Sequence, residues 1–191
     1  HRAGCYQYNM IPEPELLLLG GDGPPALLIH GYGADRQSWL GTAPALFSLS
    51  QVWVLDLPAH GAASMQCGDG SVHALAGCIL AAMDNADIQH VHLIGHSLGG
   101  RIAIEMGLQK PERIASMALL SPAGINESIN QDFLTRFHQA ETVHGLHTLL
   151  QMLVHDPRLI ASQMVGRVLG YLNKPGARSS LALITEALLD T

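Results

Sequence analysis

A serine stands between glycines in residues 95–100 (Gly-His-Ser-Leu-Gly-Gly), directly after the apolar run 91–94. The run predicts a short strand, and the apolar spacing over 101–108 predicts a helix that ends before Pro111. A strand, a glycine-flanked serine and a helix in this order are typical of a nucleophile elbow. In such a turn the serine backbone is strained, and strand and helix approach so closely that side chains at the flanking positions would clash. The motif therefore predicts Ser97 as a nucleophile at the end of a strand.

A second feature lies upstream, where an apolar strand-like run ends in residues 30–33 (His-Gly-Tyr-Gly). Acyl transfer passes through an oxyanion that two backbone N–H groups stabilise, one after the nucleophile and one from a loop after an earlier strand. Leu98 and Tyr32 occupy these two places and are predicted to form the oxyanion hole. Gly31, which lacks a side chain, and His96 beside the serine are predicted to line the substrate pocket.

At these residues the chain resembles the α/β-hydrolase family, and the resemblance covers nearly the whole length. Residues 30–33 look like the oxyanion loop of that family, and Trp39 stands where the family often has a tryptophan. Residues 56–61 (Asp-Leu-Pro-Ala-His-Gly) look like its D-x-P-G-x-G turn. Ala59 replaces the usual glycine there. We therefore do not expect the usual turn geometry to be certain, whereas the prediction of the strand before it is unaffected. The resemblance implies an α/β-hydrolase fold that needs no cofactor.

Within the family, the chain resembles the hydrolase-like domain of the dihydrolipoamide acetyltransferase component of acetoin dehydrogenase. Neither of its two lysines, Lys110 and Lys174, has the setting of a lipoyl-bearing lysine, so the resemblance concerns the hydrolase-like part alone. The segments that carry this similarity are residues 68–71, 75–77, 122–124 and 129–132.

Strands and helices alternate through the first part of the chain. Strands are predicted near residues 15–19, 26–30, 52–57, 91–94 and 114–120, with helices at 37–49, 71–86 and 98–110. Ser71 is a plausible N-cap for the second of these helices. This alternation predicts a mostly parallel sheet flanked by helices, with the active site at the carboxyl ends of the strands.

After residue 121 the pattern becomes helical. We expect residues 1–121 to form the N-terminal part of the hydrolase core and residues 122–191 to form a helical lid. Helices are predicted near 131–143, 146–154, 158–172 and 179–189, and Met152 and Met164 are expected to lie in the core. No strand is predicted after the lid, so the C-terminal strands of the fold are expected to be missing from this chain.

Composition restricts the partners. Apolar residues make up 48% of the chain and charged residues 14%, which favours a sheet covered on both faces. The net charge of −6 argues against nucleic-acid or anionic-membrane binding, and no apolar run approaches the ~20 residues of a membrane span.

The three cysteines (Cys5, Cys67 and Cys78) lack metal-ligand spacing and indicate reduced thiols in a cytoplasmic protein. No metal or cofactor is predicted.

The catalytic partners of Ser97 are not apparent. In the family the order is serine, acid, histidine, so the acid and the histidine are expected beyond residue 191. The four histidines of the lid region and Glu127 stay open as weaker alternatives; those histidines are His138, His144, His147 and His155.

Two classes of function follow from these patterns, and carbon–carbon bond hydrolysis or perhydrolysis on the same scaffold stays open beside the first. The first is a serine hydrolase or acyltransferase that acts on a small-molecule ester, thioester or related acyl substrate. The second is a truncated or degenerate hydrolase-fold domain with a non-catalytic assembly or binding role, since missing strands would expose a sheet edge. Whether the chain forms a homo-oligomer or joins a larger enzyme complex is left open.

Overall fold

The computed structural model describes residues 11–125 and 130–190. Within them, one sheet of 5 strands has the order β1-β3-β2-β4-β5. β1 pairs antiparallel with β3, and every other pairing is parallel, so the predicted, mostly parallel sheet is confirmed. The strands are β1 Leu17–Gly20, β2 Pro25–Ile29, β3 Gln51–Val54, β4 Val91–His96 and β5 Ile114–Leu120.

Helices α1 and α2 alternate with the strands, and α3 to α6 follow β5. Ser71 caps α1 as predicted, because its hydroxyl accepts a hydrogen bond from Ala74 N at 3.2 Å. The helices are α1 Val72–Asn85, α2 Leu98–Gln109, α3 Gln131–Phe137, α4 Val143–Gln151, α5 Ser162–Leu172 and α6 Ala177–Leu189.

Both faces of the central strand β2 are buried, which explains its continuous apolar run. Leu27 pairs with Leu93 and joins the large core that α1 and α2 cover. Leu28 points to the opposite face, where it packs in a smaller core with Trp39 and Val54. Because β2 and β4 are adjacent and run parallel, their carboxyl ends lie at the same edge of the sheet.

The helix predicted at 37–49 is wrong. The structure has two short 3-10 turns there, Arg36–Trp39 and Ala43–Leu46. Pro44 lies in the second turn, and a proline in a helix interior removes a backbone donor and clashes with the preceding turn. Apolar periodicity correctly indicated a segment that covers the sheet, but proline prevents one continuous helix.

The predicted burial of two methionines is also wrong. Met152 is 44% exposed, because α4 ends just before it at Gln151. Met164 is 38% exposed, and α5 buries Val165 and Leu172 instead. Neither side chain is part of the buried core.

The outer edge of β5 has no strand partner among the described residues. Met117 on this strand is 37% exposed and Leu120 is 45% exposed, while Leu108 of the neighbouring helix α2 is 73% exposed. The exposed apolar edge that the sequence predicted is therefore present in the described part of the chain.

Cys67 and Cys78 are buried free thiols, as expected, and burial raises the pKa of Cys78 to about 12. Cys5 and Glu127 lie outside the described residues. Across residues 11–125 and 130–190, no helix has the length and apolar character needed to span a membrane.

Candidate active site

Ser97 occupies the sharp turn between β4 and α2. Its backbone has φ 54° and ψ −118°, a conformation that residues other than glycine rarely adopt. Two hydrogen bonds hold it: Ser97 N donates to Leu120 O at 3.0 Å, and Ala123 N donates to Ser97 O at 3.0 Å. Such strain costs roughly 1–3 kcal/mol and persists only where the surrounding structure enforces it.

Glycines on both sides of this turn allow strand and helix to meet. A β-carbon on Gly99 would lie 2.2 Å from Ile29 O, and one on Gly95 would lie 2.5 Å from Gly99 O. Both distances are far inside van der Waals contact and involve backbone atoms. The steric reason given above for glycine at positions 95 and 99 is confirmed.

Gly31 lies directly against the serine. A β-carbon on Gly31 would be 3.1 Å from the Ser97 β-carbon and 3.2 Å from His96 Nδ1. Leu98 is buried as the first residue of α2, where backbone N–H groups have no partner within the helix. The structure thus brings Gly31, His96 and Leu98 together at Ser97.

His30 fixes the peptide that carries the Tyr32 amide. Its Nδ1 donates to Gly31 O at 2.8 Å, and its Nε2 accepts from Leu57 N at 2.9 Å. The ring is fully buried, and burial lowers its pKa to about 4, which keeps it neutral. Because the peptide is planar and trans, fixing Gly31 O toward His30 points the Tyr32 N–H in the opposite direction.

The Tyr32 side chain extends away from this peptide into the helices. Its hydroxyl forms a 2.8 Å hydrogen bond with Thr185 Oγ1 of α6, and its ring meets Phe137 edge-on at 5.5 Å between centroids. Burial raises the pKa of Tyr32 to about 12. Tyr32 is therefore anchored by its side chain, and its amide belongs to the peptide of Gly31, the residue that lies against Ser97.

The turn after β3 keeps a left-handed residue where glycine is usual. Ala59 has φ 67° and is fully buried. Asp56 closes the same turn, since its carboxylate accepts from Arg36 N at 2.8 Å and from Ala62 N at 2.9 Å. Ala59 therefore takes up the left-handed conformation under strain.

A cavity of about 140 Å³ lies between the loop after β2 and helices α3 to α5. Tyr32 is part of its wall, whereas Ser97, Leu98 and His96 are not. Its other walls are mostly apolar and include Phe133, Phe137, Met164 and Tyr171. The serine turn therefore contributes nothing to the wall of this cavity.

Within residues 11–125 and 130–190, no side chain forms a hydrogen bond to the Ser97 hydroxyl. His138, the residue after α3, instead donates its Nδ1–H to Leu134 O of that helix at 3.2 Å. The same residues contain no cluster of metal-ligating side chains. The described site consists of a nucleophile candidate and amide donors.

Comparison with known proteins shows the family of this chain. A family model described as alpha/beta hydrolase fold matches residues 24–158. The chain belongs to the α/β-hydrolase family. The match spans the loop with Tyr32, the turn with Ala59 and the elbow with Ser97.

Two curated relatives match most of the length of this chain. The dihydrolipoyllysine-residue acetyltransferase component of the acetoin cleaving system of Pseudomonas putida is 35% identical over 173 residues, which cover 90% of this chain and 47% of the relative. The same component of Cupriavidus necator is 31% identical, over 88% of this chain and 45% of the relative. The chain therefore spans about half the length of these relatives.

Solved structures share the fold at lower identity. A variant of the meta-cleavage product hydrolase CumD superposes with a TM-score of 0.80 at 22% identity, over 94% of this chain and 71% of the other. The epoxide hydrolase CorEH superposes with a TM-score of 0.73 at 18% identity, over 94% and 71%.

Proposed function

We propose that this chain is a serine hydrolase or acyltransferase that acts on an ester, thioester or related acyl substrate, with Ser97 as the nucleophile. The observation that carries the proposal is the strained Ser97 turn, which lies against Gly31. We propose that the amides of the next residues, Tyr32 and Leu98, face the same point. A strained serine at this place in the fold has no stabilising role, whereas presentation of a hydroxyl to a substrate requires it.

The chemistry follows from these positions. The Ser97 Oγ attacks the acyl carbonyl carbon, and the oxygen that becomes negative receives hydrogen bonds from Tyr32 N and Leu98 N. The N-terminus of α2 adds a favourable dipole at the same point. A general base takes the serine proton and returns it to the leaving group, after which water or another nucleophile removes the acyl group from Ser97. We expect this base and its acid beyond residue 191.

Two kinds of relatives, acetyltransferase components and a methyl ester esterase, support the proposed substrate class. The acetyltransferase components transfer an acyl group, and a further relative, the pimeloyl-[acyl-carrier protein] methyl ester esterase of Methylococcus capsulatus, is 37% identical over 52% of this chain. In these proteins the reacting group is an acyl carbonyl. We propose the same class of substrate here, with helices α3 to α6 as the lid above it.

The test is turnover of short-chain p-nitrophenyl esters and acyl thioesters by the full-length protein. Ser97→Ala is expected to lower the rate at least a thousandfold, roughly the effect of losing a triad nucleophile. Ser48→Ala, at an exposed serine, is the matched control and should leave the rate unchanged. Equal turnover by the Ser97→Ala variant and the parent would exclude the proposal.

Among the described residues, the open edge of β5 favours a second candidate role, assembly of this 191-residue chain with another copy of itself. Unpaired strand edges with exposed apolar side chains readily pair with other chains. Sedimentation of the 191-residue chain should show association that Ala118→Lys weakens and that Leu159→Lys, at an exposed leucine on another element, does not. A parent that stays monomeric at high concentration would contradict this role.

A further inference from the structure

His60 holds the second peptide group of the Tyr32 loop. Its Nε2 accepts a hydrogen bond from Gly33 N at 3.0 Å, and its Nδ1 donates to Pro58 O at 3.0 Å. Because a carbonyl oxygen only accepts, the Nδ1 carries the proton and the Nε2 is free to accept. The ring is fully buried, and burial lowers its pKa to about 3. The Gly33 amide therefore faces a neutral acceptor throughout the physiological pH range.

Two buried histidine rings thus hold the two peptide planes that flank the Tyr32 Cα. His30 binds Gly31 O on one side, and His60 binds Gly33 N on the other. Since each peptide is rigid, the two bonds together leave the Tyr32 backbone little freedom to rotate. Loss of the His60 acceptor would release one plane and leave the Gly33 donor without this partner.

The same ring contacts the helices above the sheet. It stacks on Tyr171 of α5 at 6.2 Å between centroids, with 13° between the ring planes. Tyr171 also donates its hydroxyl to Ala59 O, and Lys174 Nζ donates to Gly61 O at 2.9 Å. The carbonyls on both sides of His60 are therefore held by α5 and by the residues that follow it, so the ring connects α5 to the Tyr32 loop.

We infer that His60 is a positioning residue: it fixes the Tyr32 amide for its role beside Ser97 and ties that position to the docking of α5. The inference rests on the proposed function, in which the Tyr32 amide stabilises the oxyanion. A misplaced oxyanion donor weakens the transition state more than the bound ground state. The effect of losing the His60 acceptor therefore falls on the maximal rate of reaction at Ser97 rather than on affinity.

The experiment compares three forms of the full-length protein: the parent, His60→Phe, which keeps a stacking ring without an acceptor, and His60→Gln, which keeps a side-chain acceptor. A fluorophosphonate probe phosphonylates Ser97, and its phosphoryl oxygen occupies the oxyanion position. For His60→Phe we expect the maximal labelling rate to fall about tenfold to a hundredfold, the effect of displacing one donor. The probe concentration at half-maximal rate should stay unchanged, and His60→Gln should recover most of the rate. Thermal unfolding reports stability separately.

The outcomes are distinguishable. A parent that is not labelled at Ser97 removes the proposed function itself. Two outcomes overturn the positioning role alone. One is a folded His60→Phe that is labelled at the rate of the parent. The other is an equal loss of labelling rate in His60→Phe and His60→Gln that follows their loss of stability. If His60→Phe does not fold, amide hydrogen exchange at Gly33 is measured in His60→Gln and Tyr171→Phe instead. Slower exchange in His60→Gln than in Tyr171→Phe supports a side-chain acceptor that the glutamine retains. Faster exchange in His60→Gln contradicts it.

Discussion

Gly31 and Ser97 are in contact across the carboxyl ends of two adjacent strands, where a β-carbon on Gly31 would come within 3.1 Å of the Ser97 β-carbon. A side chain at position 31 would therefore fill the space beside the serine, where we propose that the substrate carbonyl lies. The contact joins the two sequence motifs, residues 30–33 and 95–100, in one site.

Gly31→Ala should therefore impair the reaction without unfolding the protein. The added methyl needs its neighbours to shift by only a few tenths of an ångström, but those neighbours are Ser97 and His96. We expect esterase activity to fall about tenfold to a hundredfold with unfolding free energy within about 1 kcal/mol of the parent. Gly41→Ala, where no atom lies within 4 Å, is the matched control and should keep full activity. Unchanged activity in Gly31→Ala would show that the reacting group lies elsewhere.

Gly99→Ala should instead destabilise the fold. Its methyl would lie 2.2 Å from Ile29 O and 2.6 Å from His30 O, both backbone atoms that cannot rotate away. We expect a loss of several kcal/mol in urea unfolding, the range found for severe overpacking. Gly170→Ala in α5, with open space around it, should be neutral or up to about 1 kcal/mol more stable. Parent-like stability of Gly99→Ala would refute the close approach of β2 and α2.

Replacing the strained serine should distinguish backbone strain from the role of the hydroxyl. Ser97→Gly relieves a φ of 54°, while Ser97→Ala keeps the strain, and both lack the hydroxyl. We expect the glycine variant to be about 1 kcal/mol more stable than the alanine variant, after allowing for the greater freedom of glycine in the unfolded chain. Both variants should be inactive. Chemical denaturation of the pair measures the difference, and equal stabilities would argue against strain at residue 97.

Stability should depend on pH through His30 and His60. Burial lowers the pKa of His30 to about 4 and that of His60 to about 3, against 6.5 for the free side chain. Below pH 6.5 the unfolded chain therefore binds protons that the folded chain excludes. Unfolding free energy should be level above that pH and fall as the pH drops toward 4, by up to about 1.4 kcal/mol per pH unit for each ring.

Urea unfolding at several pH values between 5 and 7.5 measures this dependence. His60→Gln should remove about half of the slope, since it takes away one of the two buried rings. A stability that stays constant between pH 5 and 7 in the parent would contradict the buried, neutral state of both histidines.

The sequence predicted the sheet and the serine turn because these depend on local patterns. Apolar runs bounded by turns identified the strands, and the glycines at 95 and 99 identified the close approach that the structure contains. The helix expected at 37–49 failed because periodicity alone does not register what Pro44 does to a helix.

The link through His60 depends on contacts that sequence spacing does not reveal. Its partners Gly33 and Tyr171 lie 27 residues before it and 111 residues after it, respectively, so only the fold brings them together. Ala59 was visible as a departure from the usual glycine, yet its left-handed backbone became apparent only in three dimensions. In the sequence, the feature that points to His60 is its place inside the turn of residues 56–61, whose other positions are restricted by the backbone conformation of the turn.

The most direct test of Ser97 as the nucleophile is fluorophosphonate labelling of the folded, full-length protein, followed by peptide mass spectrometry of the modified site. We expect a single adduct, on the peptide that contains Ser97, and no adduct in the Ser97→Ala variant. A folded protein that takes up no probe, or that carries its adduct on another residue, would contradict it.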